Sequence, residues 1–286
     1  MSAVFFLSVF FAVFAPIPIL IHSFRRGRSW AWLAALTNGA LVLAFGGVAS
    51  FAIYAVFVMA LALGLAEGFR LFRTPERAAV FAWTTMAVIG LGWAMVHFHF
   101  SPMQAWNEAG REISAAVDSL VQTVPQDRLP VQVNGPEDIA EWKQSLLVEL
   151  PSAIAILSLV AVWASTVVLL RLNPGRIREK MGLRPDFFQT WKAPEVLVWP
   201  TIISGFFLLV GVKYVSPVAL NLFKVLMTIY ALQGLSILAF FFDLWGVRGL
   251  FRTAGYVLVG SVMTPLLLSL GFFDLWFDFR SKFRQT

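Results

Sequence analysis

The chain has 286 residues, 59% of them hydrophobic and only 13% charged, with a formal net charge of +6. Soluble domains run near 45–50% apolar and about 25% charged, so this composition, with a mean hydropathy of +0.77, points to a polytopic membrane protein. The absence of cysteine excludes disulfides, thiolate metal sites and a cysteine nucleophile, and the basic residues collect in short loops rather than on an aromatic-interleaved stripe, which argues against nucleic acid.

Residues 3–24 form the first candidate span, close to the roughly 20 apolar residues a crossing needs. No basic region precedes it, and Arg25, Arg26 and Arg28 follow it. That is the reverse of a secretory signal, so a retained span with its N-terminus outside the cytoplasm is expected. Pro16 and Pro18 lie inside it. Each removes a helix donor and clashes with the preceding turn, and the pair predicts a broken segment. From Trp30 to Phe69 the first charge is Glu67. About 40 residues at about 1.5 Å each exceed one crossing, and Gly46-Gly47 divides them into two around a hairpin turn. Arg70, Arg73 and Arg77 mark a cytoplasmic loop before a fourth span at residues 79–98.

A polar interlude, residues 99–149, is rich in acidic side chains and poor in basic ones, which suits the outside. Ser101-Pro102-Met103-Gln104 is a capping-box pattern. Trp106, Ala109, Ile113, Val117, Leu120 and Val124 follow at steps of three and four, predicting an amphipathic helix. Pro125, Pro130, Gly135 and Pro136 separate it from a second helix carrying Ile139, Trp142 and Leu146, which runs into span five near Pro151. Both helices are expected on the outer membrane surface or roofing the bundle, with a lid or partner-docking surface as the alternative.

Span five covers residues 151–170 and is followed by a loop with Arg171, Arg176, Arg178, Lys180, Arg184 and Lys192. Spans six, seven and eight are expected at residues 196–212, 217–242 and 255–273, with Pro200 and Pro265 inside the first and last. The expectation is therefore an all-α polytopic bundle of about eight spans in the bacterial cytoplasmic (inner) membrane. Residues 1–98 form the first four spans, 99–149 an extracytoplasmic helical insertion, and 150–286 the last four spans with a short tail. One feature resists: parity puts the tail outside, yet it holds Arg280, Lys282 and Arg284. Either the tail is a tolerated exception, or the count is off by one through a re-entrant proline-containing segment.

Lys224 lies seven residues into span seven, about 10 Å of helix rise, and an ionisable residue at that depth is a candidate functional group. Asn221 and Thr228 share its face; snorkelling of Lys224 to the interface is the plainer reading. Gln233 and Asn38 are expected to bond neighbouring helices. His97 and His99, two residues apart, do not share a helix face and lack a carboxylate to complete a metal set. No metalloprotease, nucleotide-loop, hydrolase-elbow or dinucleotide motif is present, so neither an enzyme nor a cofactor is expected. Asp274 and Asp278 could do acid–base or cation chemistry, but a salt bridge with Arg280 is the expected use. Phe-Phe-Asp-Leu-Trp occurs twice, at 241–245 and 272–276, each time closing a span. The alanine pairs Ala31/Ala35 and Ala62/Ala66 permit close helix approach.

The stretches Pro16-Ile17-Pro18-Ile19-Leu20, Trp199-Pro200, Leu232-Gln233-Gly234-Leu235-Ser236 and Gly271-Phe272-Phe273-Asp274-Leu275-Trp276-Phe277-Asp278-Phe279-Arg280 together resemble the YybS-like bacterial membrane proteins, a family of unknown function. That family looks related to the substrate-binding S-components of energy-coupling-factor vitamin transporters and to the rod-shape protein MreD. The resemblance implies either of two roles. One is a binder or carrier holding a small molecule or lipid in an outward-facing pocket drawn from Lys224, Asn221, Thr228, His97 and Gln233. The broken-helix prolines Pro16, Pro18, Pro200 and Pro265 would expose backbone around that pocket. The other is a non-enzymatic scaffold for envelope or shape assembly, for which an apolar stripe left uncovered in the interlude would call for another membrane protein.

Overall fold

In a lipid-facing chain each backbone N–H and C=O must find its partner within the protein, and a helix does this locally. A computed structural model describes residues 13–72, 74–125, 129, 131, 135–172, 176–181, 183, 184 and 186–283, and among these there is no strand. The helices are α1 (Ile17–Arg26), α2 (Arg28–Tyr54), which passes through a π-helical stretch (Ala55–Ala60) into α3 (Leu61–Phe72), α4 (Pro75–His97), α5 (Pro102–Thr123), α6 (Pro136–Leu172), α7 (Arg176–Met181), α8 (Phe187–Thr190), α9 (Val198–Val210), α10 (Ser216–Leu244), α11 (Gly249–Ser261) and α12 (Thr264–Phe277). The chain divides into two compact units, Met1–Leu183 and Arg184–Thr286.

In the first unit, Pro16 precedes α1 and Pro18 occupies its opening turn, where the missing N–H costs nothing. Residues 3–12 of the expected first span lie outside the described residues, as do Arg73 and Pro130. Within α2, Gly47 takes φ 73°, ψ −176°, a conformation open to glycine and few others. The chain doubles back there. Tyr54 Oη donates to the Ala35 carbonyl at 3.4 Å, although 19 intervening steps of straight helix would part them by about 28 Å. Glu67 accepts from Arg28 at 2.9 Å and also pairs with Arg70, which donates to Ser23 Oγ at 2.8 Å. The helical hairpin is thus closed at its open end by charge, and α3 packs on α4 through small residues. A methyl on Gly68 would lie 2.8 Å from Ala78 Cα, and one on Gly64 3.0 Å from Ala82 Cα.

The interlude begins as its sequence pattern predicts. Pro102 opens α5, and Ser101 Oγ accepts the Gln104 N–H at 3.3 Å. α6 is a single helix of 37 residues that runs straight through Pro151. Its first 15 residues extend about 22 Å beyond the apolar part, and α5 folds back along them. Lys143 pairs with Asp118 at 2.7 Å, and Val117, at the centre of the apolar stripe, is 1% exposed.

In the second unit, α10 and α12 meet almost backbone to backbone. A methyl on Gly271 would lie 1.8 Å from the Tyr230 carbonyl oxygen, and one on Gly234 2.2 Å from that of Leu267. Around this crossing Tyr230 lies against Phe272 and Gln233 bonds Asp274, and beyond the end of α12 Phe283 lies against Phe241. α11 starts beside the C-terminal end of α10, where Arg252 pairs with Asp243. α11 and α12 meet at a bend of 91°, with Pro265 in the first turn after it. The chain from Gly249 to Phe283 therefore leaves the C-terminal end of α10 and returns to it. Gln189, from the loop before α9, bonds Asp243 at that same end.

The described residues contain four helices long and apolar enough to cross a membrane, or up to five if the bent pair counts as one span. The eight-crossing expectation differs for three reasons. The Arg28–Phe72 stretch reverses at Gly47 inside one continuous helical run. α9 has only 13 residues. α11 and α12, at about 20 Å each, are both shorter than a hydrocarbon core of about 30 Å.

Replacing Gly271 with Ala should destabilise the protein by about 1–3 kcal/mol or more, because the backbone of α10 has nowhere to yield. The thermal unfolding midpoint in detergent checks this. Gly92→Ala, where nothing lies within 4 Å, should leave the midpoint unchanged or raise it.

Candidate functional site

The expected site residues fall in different places. Asn221, Lys224 and Thr228 are half-buried on one face of α10. Asn221 Nδ2 donates to the Pro217 carbonyl at 2.8 Å, and Thr228 Oγ1 to the Lys224 carbonyl at 2.9 Å. These bonds turn two polar side chains back onto their own helix. Gln233 follows Lys224 by nine residues, which at 3.6 residues per turn is about half a turn away. It belongs to a different environment. His97, in the first unit, is exposed, stacks on Trp93 at 4.7 Å and meets the edge of Phe98. Among the described residues no three metal-ligating side chains gather. Pro200 sits in the first turn of α9, as Pro18 and Pro265 do in theirs.

The concentrated chemistry of the second unit lies around Gln233. Asp278 ends α12 in the left-handed conformation, φ 38°, which aspartate tolerates better than most residues. The reversal carries Arg280 back under the helix, where Arg280 Nη2 meets Asp274 Oδ2 at 2.6 Å with both side chains buried, 3% and 0% exposed. Most other polar atoms of the pair are also engaged. Asp274 Oδ1 accepts the Phe279 N–H at 3.0 Å, and Oδ2 also accepts Gln233 Nε2 at 2.9 Å. Arg280 Nη1 donates to the carbonyls of Gln189 and Trp191 at 3.0 and 2.9 Å and to Ser236 Oγ at 3.2 Å. Gln233 Oε1 takes the Ala193 N–H at 3.0 Å, and Ser236 Oγ donates to Trp191 O at 3.0 Å. Asp278 itself turns outward to Lys192 at 2.9 Å. The sequence reading of a salt bridge with Arg280 thus finds its partner in Asp274, inside the protein rather than at an interface. The charged groups of this network are engaged in structural bonds. The network pins the loop before α9, the middle of α10 and the C-terminal tail together.

Beside it lies an open groove of about 430 Å³ between the start of α9 and the end of α12. Glu195, Val196, Val198, Trp199, Leu275 and Trp276 line it. The groove was not anticipated from sequence, because it joins residues about 80 positions apart whose only local mark is an interfacial tryptophan. Leu275 and Trp276 directly follow Asp274, so the buried network fixes the groove's far wall.

Residues 2–275 match the model of the family described as "Predicted membrane protein (DUF2232)". The chain belongs to that family. Membership agrees with the apolar helices and establishes a membrane protein without assigning it a role. No curated protein and no solved structure matches the chain. The family match ends just beyond Asp274 and takes in Gln233, Ser236 and five of the six groove residues.

Asp274→Ala should cost about 3–5 kcal/mol, since it strands a buried guanidinium. The double variant Asp274→Leu/Arg280→Met should recover much of that loss. Unfolding midpoints of the single and double variants check this, and a double as damaged as the single would refute a buried-pair origin.

Proposed function

We propose that this DUF2232 protein is a multi-pass protein of the bacterial cytoplasmic membrane that binds a small molecule or lipid at the α9–α12 groove and does not transform it. The supporting observation is the groove itself, with an unpartnered carboxylate and two tryptophans on walls held rigid by the Asp274–Arg280 network. The charged groups within that network are all consumed by structural bonds, which favours binding over chemistry. The groove replaces the Lys224 face as the preferred site, since Asn221 and Thr228 are turned back onto α10. An S-component-like mode of binding is retained only in this general sense. Ala31, Ala35, Ala62 and Ala66 are each at most 1% exposed, so they are packed within the chain and do not present a face to a transporter core. A scaffold role draws less support, because the central part of the α5 stripe is covered by α6 at Val117.

The proposal includes a topology. The two halves of the Gly47 hairpin, α4, α6 and α10 each cross, α9 does so together with the turn before it (Glu195–Val210), residues 99–149 lie outside, and α11–α12 forms a re-entrant pair rather than the eighth span expected from sequence. The loop before α9, the α10–α11 turn and the C-terminal tail then share the cytoplasmic side. Arg184, Lys192, Arg248, Arg280 and Lys282 all come to the side that the positive-inside rule demands.

Because the chain has no cysteine, single cysteines report sidedness cleanly. Ser281→Cys and Val247→Cys should react with an impermeant maleimide only after permeabilisation, and Gln122→Cys in intact cells. Labelling of Ser281→Cys in intact cells would restore the eighth crossing. For binding, native mass spectrometry in mild detergent should show a retained small molecule or lipid that is depleted in Trp199→Ala/Trp276→Ala and kept in Lys224→Ala. An empty protein arriving with another membrane protein would favour the scaffold.

A further inference from the structure

Resting on the groove assignment above, we infer that the groove holds the ammonium-bearing headgroup of an ethanolamine phospholipid. The Glu195 carboxylate makes no hydrogen bond or ion pair with any described residue and is the charged group in the groove lining, whereas Lys192, three residues before it, is engaged with Asp278 and Lys282 rests over the Phe277 ring. The groove therefore presents one uncompensated negative charge within an otherwise basic end of the unit. An anionic headgroup entering it would meet the Glu195 carboxylate in the wall itself. An ammonium would meet a carboxylate and the indole rings of Trp199 and Trp276, whose faces attract cations. Val196, Val198 and Leu275 supply apolar wall for the glycerol and upper acyl region. Val196, Trp199 and Trp276 are 68%, 65% and 55% exposed, outward-facing at the ends of apolar helices, the depth at which tryptophans meet headgroups. A lipid already confined to that layer is the source committed to here, in preference to a free amine from solution.

The test uses the full chain reconstituted in vesicles of equal parts phosphatidylethanolamine and phosphatidylglycerol and released for native mass spectrometry. Retained lipid should be enriched about fivefold in phosphatidylethanolamine, as expected of a cation–π contact reinforced by a carboxylate. Glu195→Gln, an exposed and nearly isosteric change, should abolish the enrichment, Trp276→Leu should reduce it, and Glu108→Gln in α5 should leave it intact. Lipid retained in the vesicle's own proportions, or enrichment that survives Glu195→Gln, overturns the headgroup assignment while leaving a binding groove. No retained lipid, with the groove variants indistinguishable from the parent, overturns both. Displacement of phosphatidylethanolamine by millimolar free ethanolamine would overturn the lipid as the source.

Discussion

A guanidinium and a carboxylate removed from water can coexist inside an apolar protein only if nearly every one of their hydrogen-bonding atoms is answered, because their mutual attraction alone does not repay desolvation. Arg280 and Asp274 meet that demand, and the shape of the second unit follows from how. Two of the answering groups are main-chain carbonyls, of Gln189 and Trp191. The connection before α9 must therefore run deep beside α10 rather than across its end. Another is the amide of Gln233, which reaches Asp274 only because Gly234 and Gly271 let the two backbones touch. The chain must also reverse after α12, which Asp278 permits by adopting a left-handed conformation. Charge, glycine and turn are one requirement expressed at separate places in the sequence.

The repeated Phe-Phe-Asp-Leu-Trp shows how far such a requirement depends on surroundings. Each copy ends a helix, each stacks or edges its first phenylalanine on its tryptophan at 5.2 Å, and each aspartate takes an arginine from farther along the chain and a glutamine from elsewhere. Asp243 takes Arg252 and Gln189 and stays exposed; Asp274 takes Arg280 and Gln233 and is wholly buried. The exposed copy tolerates water in place of either partner and is worth little as a pair. The buried copy has no such substitute. Identical pentapeptides thus serve as a surface clasp in one place and as the keystone of a fold in the other.

This also marks what could be read from residues alone. The helical class, the reversal at Gly46-Gly47, the capped start of α5 and the fusion of α6 through Pro151 were legible, because each rests on local signals: length of apolar run, glycine pairs, a cap and a periodic stripe. The network was half legible. Gln233 and the Asp274–Asp278–Arg280 group stood out, and the Asp274–Arg280 pair spans only six residues, but their other side-chain partners are 40 or more residues away and the rest are main-chain groups, which carry no sequence mark. Lys224 drew attention because charge in a span is conspicuous, whereas a groove defined by Glu195 and two tryptophans is assembled only in three dimensions. Proline was misleading in a specific way. Pro18, Pro200 and Pro265 sit in first turns, where their missing donor is not needed, so they begin helices rather than interrupt them.

The basic tail was the contradiction in the sequence, and the short helices remove its cause. Counting crossings by apolar length treats residues 249–277 as one span because their summed hydropathy suffices. The proposed topology makes them a re-entrant pair instead. Two helices of about 20 Å joined at a bend of 91° support it, since Arg252 and Phe283 both hold the C-terminal end of α10. Across the bend the backbone stays paired, with the Val262 and Met263 N–H groups donating to the Leu258 and Val259 carbonyls and the Met263 carbonyl accepting from Leu266 and Leu267. The tail cannot drift from this arrangement without dragging Arg280 out of its carbonyl and carboxylate cage. The buried ion pair is therefore what converts a marginal pair of half-length helices into a fixed element, and with it fixes the far wall of the groove at Leu275 and Trp276.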